Sequence, residues 1–363
     1  MSKRFPIIDT DVHQTYPDPK KFQSYLPEYW RGKALPGGMP WPGAVGHSVM
    51  RHDARPPGGG PAGSDPDFLK KQLLEECGIT YAILNGSGNL GANVHSNADF
   101  AIAYARAYND YLIDAWLDDP RLYGSMMIAP QDVPRSVEEI KRVGGHPKIV
   151  QVLMSSASPL LYGKRYFWPI YEAACEMGLP VAIHPGKEGY GITVPTASGY
   201  PSYYIEWHTM LATGYINHLI SLICEGVFEQ FPDLKFVLIE GGVSWAASIS
   251  WRLDKNYKAL RSEVPWLKML PSEYIKRNVK FTTQPIEEPE DESLLVRLFE
   301  EIDGYNTIMF STDYPHWDFD DPFQVMRGFP EDLKRRIFYD NAAELYGLPK
   351  AEELPKEAPA ATS

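Results

Sequence analysis

Cysteine is scarce in this chain: Cys77, Cys175 and Cys224 stand far apart among 363 residues. Three scattered thiols supply neither a disulfide framework nor a C-x-x-C metal motif, so a reducing, cytoplasmic setting is expected, with the thiols packed in helices. Positive charge is also short. Lys and Arg total 35 against 47 Asp and Glu, a formal net charge of -12, which argues against a nucleic-acid or anionic-membrane partner. Nowhere do about 18 apolar residues run unbroken, and the opening MSKRFPIIDTDVH lacks an apolar signal core, so neither a spanning helix nor export is expected.

What is present alternates in kind. The first apolar run, IIDTDVH from Ile7, is followed by a stretch crowded with Pro, Gly and aromatics. That stretch, residues 14–65, reads as a partly ordered, lid-like insertion. Seven further β-rich runs follow: YAILNG from Tyr81, YGSMMIAP from Tyr123, KIVQVLMS from Lys148, PVAIHPG from Pro180, KFVLIEGG from Lys235, VKFTTQP from Val279 and TIMFSTDYPH from Thr307. Helix-length amphipathic segments separate them, the longest running from Tyr203 to Phe231. Eight alternating β/α units predict parallel strands closed into a (β/α)8 TIM barrel over residues 1–348, with an open doubly wound sheet as the alternative. The tail, 349–363, is rich in Pro, Ala and Glu and is expected to be disordered.

In such a barrel the C-terminal strand ends surround the active site. Here the first strand ends in Asp11 and His13, the fifth in His184, the sixth in Glu240, and the eighth in Asp313 with His316 just beyond. Residues two apart on a strand share a face, so Asp11 and His13 can reach one ion together. Carboxylates converging in a partly buried mouth repel one another unless a cation compensates. A mixed imidazole and carboxylate set suits a divalent transition metal such as Zn, Fe or Mn. Each histidine alone reads equally as a satisfied hydrogen-bonding group, and Asp9 as a tie to a neighbouring loop; the signal lies in the set.

These residues resemble the amidohydrolase-related family, in its aminocarboxymuconate-semialdehyde decarboxylase-like branch. The likeness runs from IIDTDVH through AIHPG, GVFEQFPDLKFVLIEGG and FSTDYPH to NAAELYGL. It implies a TIM barrel, a small-molecule substrate, a homo-oligomer such as a dimer, and a catalytic metal held by Asp11, His13, His184 and Asp313. Two positions depart from the best-known decarboxylase pattern: the first strand has Asp-x-His, and Glu240 stands where those enzymes carry a proton-handling His. Glu240 then reads as a general acid/base, as a ligand of a second metal, or as a salt-bridge anchor. His208 is open between second-metal ligand and capping or core histidine, and His218 lies well round the same predicted helix. His316 is expected to bind substrate or support Asp313, and Trp41, Tyr16 and Arg51, with Arg55 or Lys187, to meet substrate.

Three reactions suit one or two such ions. The first expectation is hydrolysis by a metal-activated water, with Asp313 or Glu240 moving the proton. The second is non-oxidative decarboxylation, and the third is O2 activation at a dinuclear iron site.

Overall fold

The computed structural model describes residues 5–33, 35, 49–193 and 199–351. Trp41 and most of the predicted tail therefore lie outside the described residues. Eight strands carry the fold: β1 (Ile8–Val12), β2 (Tyr81–Leu84), β3 (Leu122–Met127), β4 (Ile149–Ser155), β5 (Val181–His184), β6 (Phe236–Leu238), β7 (Val279–Thr282) and β8 (Ile308–Met309). They lie side by side in chain order, every pairing parallel. The ring closes: Thr10 N–H donates to Phe310 O at 3.1 Å and His13 N–H to Tyr314 O at 2.7 Å, with Val12 bridging Tyr314. An open doubly wound sheet has no such closing bonds, and the architecture is the (β/α)8 barrel.

The chain reaches it through local signals. Apolar runs such as Val181–His184 and Phe236–Leu238 are buried on both faces, as parallel barrel strands must be. The crossover helices begin where short polar side chains satisfy free backbone N–H groups: Asn97 accepts from Phe100 N–H, Asp132 from Arg135 N–H and Asp291 from Ser293 N–H. Cys77, Cys175 and Cys224 are unpaired and pack against the core. Among the described residues, no helix is long and apolar enough to cross a membrane.

Two elements differ from the sequence expectation. The run from Tyr203 to Phe231 is three helices, Tyr204–Thr209, Leu211–Cys224 and Val227–Gln230. Gly226, at φ 82°, separates the last two, and the first is drawn to the mouth, where His208 meets Asp318. The described part of the insertion is also more regular than a lid. Asp18 caps a helix at Pro19–Tyr25, and Phe22 from it stacks on Tyr16 with ring centroids 4.1 Å apart. Both rings meet Tyr111 edge-on, on the Ala98–Trp116 helix, which clasps this segment to the barrel flank. The returning segment reaches the mouth: Met50 bridges His316, and Gly63, at φ 72°, packs so closely on His13 that a Cβ there would lie 2.6 Å from the His13 carbonyl oxygen.

Candidate metal centre

Asp11 and His13 leave the end of β1 pointing into the barrel mouth, where they meet His184 from the tip of β5. The Asp11 Oδ1 to His13 Nε2 distance is 3.1 Å, and His184 Nε2 lies 3.2 Å from His13 Nε2 and 3.5 Å from Asp11 Oδ2. Glu240, two residues past β6, places Oε2 at 2.8 Å from His184 Nε2. One donor atom from each of these four residues falls within 4.8 Å of all the others. Asp313 joins from beyond β8, its Oδ1 2.9 Å from His13 Nε2 and 2.6 Å from His316 Nδ1. Glu240 and Asp313 both adopt left-handed backbone, at φ 60° and 61°, a conformation that costs a non-glycine residue about 1–3 kcal/mol and gathers at functional sites.

The donors are oriented from behind. His13 Nδ1 donates to Gly86 O at 2.6 Å and His184 Nδ1 to Pro185 O at 2.7 Å, which leaves each Nε2 as the nitrogen facing the cluster. Asn85 Nδ2 donates to Asp11 Oδ1 at 2.7 Å, and Asn85 Oδ1 in turn accepts from Ser125 Oγ at 2.5 Å. Asp11 Oδ2 is buried with no hydrogen-bond partner among the described residues, only the His184 Nε2 at 3.5 Å beside it. A buried carboxylate oxygen in that state calls for a cation.

Electrostatics says the same. Burial opposes charge on Asp11, yet the His13 and His184 imidazoles outweigh it and hold the carboxyl far below the usual range. Burial likewise works against a proton on His184, but Asp11 and Glu240 push it up to about 10, and His13 rises in the same way beside Asp11 and Asp313. Glu240 is shifted up, first by burial and then by Asp313. The carboxylates thus favour positive charge beside them. Two imidazolium rings with nitrogens 3.2 Å apart would repel, whereas a single divalent ion gives the same charge and uses the nitrogen lone pairs. Donor separations of 2.8–3.5 Å suit neighbouring ligands on an ion with bonds of about 2.0–2.2 Å. The cluster can hold a divalent transition metal.

Above it lies a pocket lined by His13, His184, Glu240, Asp313 and His316, with His208 and Asp318 at one side and Leu90, Tyr190, Tyr204 and Trp207 as apolar walls. His208 Nε2 pairs with Asp318 Oδ2 at 3.0 Å. His218 is buried away from the mouth, its ring taken by Tyr162 N–H and Ser156 O. Asp9 ties β1 to the segment after β8, accepting from Thr312 N–H at 3.0 Å and Thr312 Oγ1 at 2.5 Å.

Two expected substrate contacts are corrected. Tyr16 points into the flanking aromatic cluster and hydrogen-bonds Asn89 and Tyr104, because burying its ring there outweighs facing the pocket. Arg51 grips Asp53 with two bonds of 2.9 and 2.6 Å and lies over the Phe319 ring, outside the pocket wall. Lys187, by contrast, does line the pocket. The sequence reading missed Asn85, Gln284 and Asp318. The expectation that no G-x-G-x-x-G follows a strand is also corrected: Gly86–Gly91 carries that spacing just after β2, but it enters a short 3-10 turn and supplies the carbonyl that orients His13 instead of opening a long phosphate-binding helix.

Comparison with known proteins agrees with this geometry. The family model described as Amidohydrolase matches residues 8–348. A gamma-resorcylate decarboxylase of Polaromonas sp. (strain JS666 / ATCC BAA-500) is 28% identical over 304 residues, covering 76% of this chain and 86% of that protein. A 2-amino-3-carboxymuconate-6-semialdehyde decarboxylase of Dictyostelium discoideum is 25% identical over 267 residues, 68% of this chain and 67% of its own. Among solved structures, a 5-carboxyvanillate decarboxylase from Sphingomonas paucimobilis superposes with a TM-score of 0.69 at 22% identity, covering 95% of this chain and 100% of that one. A dihydroxybenzoic acid decarboxylase from Polaromonas sp. JS666, solved with bound manganese and the inhibitor 2-nitroresorcinol, gives 0.67 at 20% identity, covering 95% and 98%.

Proposed function

Because the chain belongs to the amidohydrolase family, in its aminocarboxymuconate-semialdehyde decarboxylase-like branch, we propose that it is a metal-dependent, non-oxidative decarboxylase of a small cyclic or unsaturated carboxylic acid. The observation that carries this reading is the meeting of Asp11, His13, His184 and Glu240 around one point, with Asp313 beside them, under an aromatic-walled pocket. Hydrolysis stood first on the sequence alone; the decarboxylase relatives favour the second reaction, and hydroxylated benzoates are the first substrates to try.

Asp11, His13, His184 and Glu240 would hold the metal, which when bound supplies a Lewis acid for the oxygen atoms of the substrate. Tyr190, Tyr204 and Trp207 offer flat faces for a ring. Asp313 Oδ1 faces the same space; burial opposes charge on this carboxyl, but His316 and His13 hold it down to about 2, so it passes a proton received from His316 on to the carbon bearing the carboxylate. As that C–H bond forms, the C–C bond to the carboxylate breaks, its electron pair returns to the substrate skeleton and CO2 departs. His316, partly exposed and 2.6 Å from Asp313, replaces the proton from water. No electron leaves the system, so no oxidant is needed.

The test is turnover of hydroxybenzoates and carboxymuconate-type acids in D2O without oxygen. The expected result is CO2 release with one deuterium at the vacated carbon. Ester or lactone hydrolysis without CO2, or a requirement for O2, would overturn the assignment.

A further inference from the structure

The barrel mouth carries more negative charge than one divalent ion balances. Asp11, Glu188, Glu240, Asp313 and Asp318 bring five carboxylates to the mouth, and Lys187 is the one Lys or Arg among the described residues lining the pocket. Five formal negative charges, less one for Lys187 and two for one divalent ion, leave a formal excess of two. Beside the first donor group sits another: His208 Nε2, a Glu240 oxygen and an Asp318 oxygen all lie within 4.8 Å of one another. They come from three places, the short Tyr204–Thr209 helix, the tip of β6 and the segment after β8. Glu240 belongs to both groups. Gln284 Nε2 fixes Asp318 Oδ2 from behind at 2.8 Å, and the buried Gln284 Oε1 has no partner among the described residues.

We propose that His208, Asp318 and Glu240 form a second divalent-cation site, with Glu240 as the carboxylate shared between two ions. One imidazole and two carboxylates suit Mn, Fe or Zn, and a carboxylate common to both groups is what a two-metal centre, with ions typically roughly 3.5–4 Å apart, would need. The proposal rests on the reading of Asp11, His13, His184 and Glu240 as the first site. Glu240 thereby acquires a role in keeping with its left-handed backbone past the tip of β6, as the residue common to both donor groups.

The test counts metal on the full-length protein, dialysed against excess Mn2+ and then desalted, by elemental analysis and low-temperature electron paramagnetic resonance. The expected result is two Mn per chain with an exchange-coupled spectrum, falling to one Mn and an uncoupled six-line signal in His208→Gln and in Asp318→Asn. One uncoupled Mn per chain in the wild-type protein would overturn the second site and leave the first standing, with His208 then the imidazolium partner of Asp318. Binding of no Mn at all would overturn both. The wild-type count and spectrum decide the matter even if a variant fails to fold.

Discussion

Replacing Asn85 with alanine is expected to weaken the first metal site without removing a ligand. The Asn85 amide donates to Asp11 Oδ1 at 2.7 Å, while Asp11 Oδ2 has no hydrogen-bond partner among the described residues and faces His184 Nε2 at 3.5 Å. A hydrogen bond to a charged group contributes about 1.5–3 kcal/mol. Groups that orient metal ligands from behind typically govern affinity by about 10–100-fold, which corresponds to roughly 1.4–2.7 kcal/mol. Both routes give the same range. The substitution also leaves Ser125 Oγ without its acceptor, so thermal stability falls for a separate reason, and the informative quantity is the Mn2+ dissociation constant from competition with a fluorescent chelator. We expect it to rise by about 10–100-fold. A constant within about twofold of wild type, in a folded variant, would show that Asp11 is not a ligand held by Asn85, since a twofold change is only about 0.4 kcal/mol.

Three further outcomes follow from other parts of the molecule. Asp313→Asn should lower kcat by about 100-fold or more while the protein keeps its metal, measured by elemental analysis beside steady-state assay; loss of the metal would make Asp313 chiefly a ligand. His218 is held down to about 4 by burial, so the unfolded chain binds its proton first as pH falls. Its contribution to stability is unaffected above the ordinary value of about 6.5 and declines from there to about pH 4, by roughly 3 kcal/mol. Urea unfolding should show that slope flattened in His218→Gln, and an unchanged slope would remove His218 as its source. Gly63→Ala puts a Cβ 2.6 Å from the His13 carbonyl at φ 72°, and a fall of several degrees in Tm together with weaker Mn2+ binding is expected, the strain being about 1–3 kcal/mol. A Tm equal to wild type would show that the insertion does not brace the site.

The barrel was legible because strands such as VAIH and FVL are apolar runs whose polarity changes only at or just past the tip, and because several of the helices between the strands carry side-chain caps. The same change of polarity marked Asp11, His13, His184, Glu240 and Asp313, which share one rim of the barrel. Asp318 escaped notice since nothing in the local pattern distinguishes it from Asp320 or Asp321; only the fold of the chain after β8 brings it to His208. Asn85 and Gln284 are single buried polar residues whose partners are remote in sequence, and no periodicity marks such residues. Tyr16 and Arg51 were placed in the pocket on residue type, but each has a stronger local partner, an aromatic cluster for one and Asp53 for the other. The break at Met210 turns His208 towards the mouth, so helical geometry drawn through one long helix could not relate it to His218.

Anomalous diffraction from crystals grown with Mn2+ tests most directly whether these distant residues form one metal centre. A strong peak is expected between Asp11 Oδ2, His13 Nε2, His184 Nε2 and Glu240, at about 2.0–2.2 Å from the ring nitrogens. Full-occupancy manganese found only elsewhere on the chain, with this cluster filled by water, would contradict it.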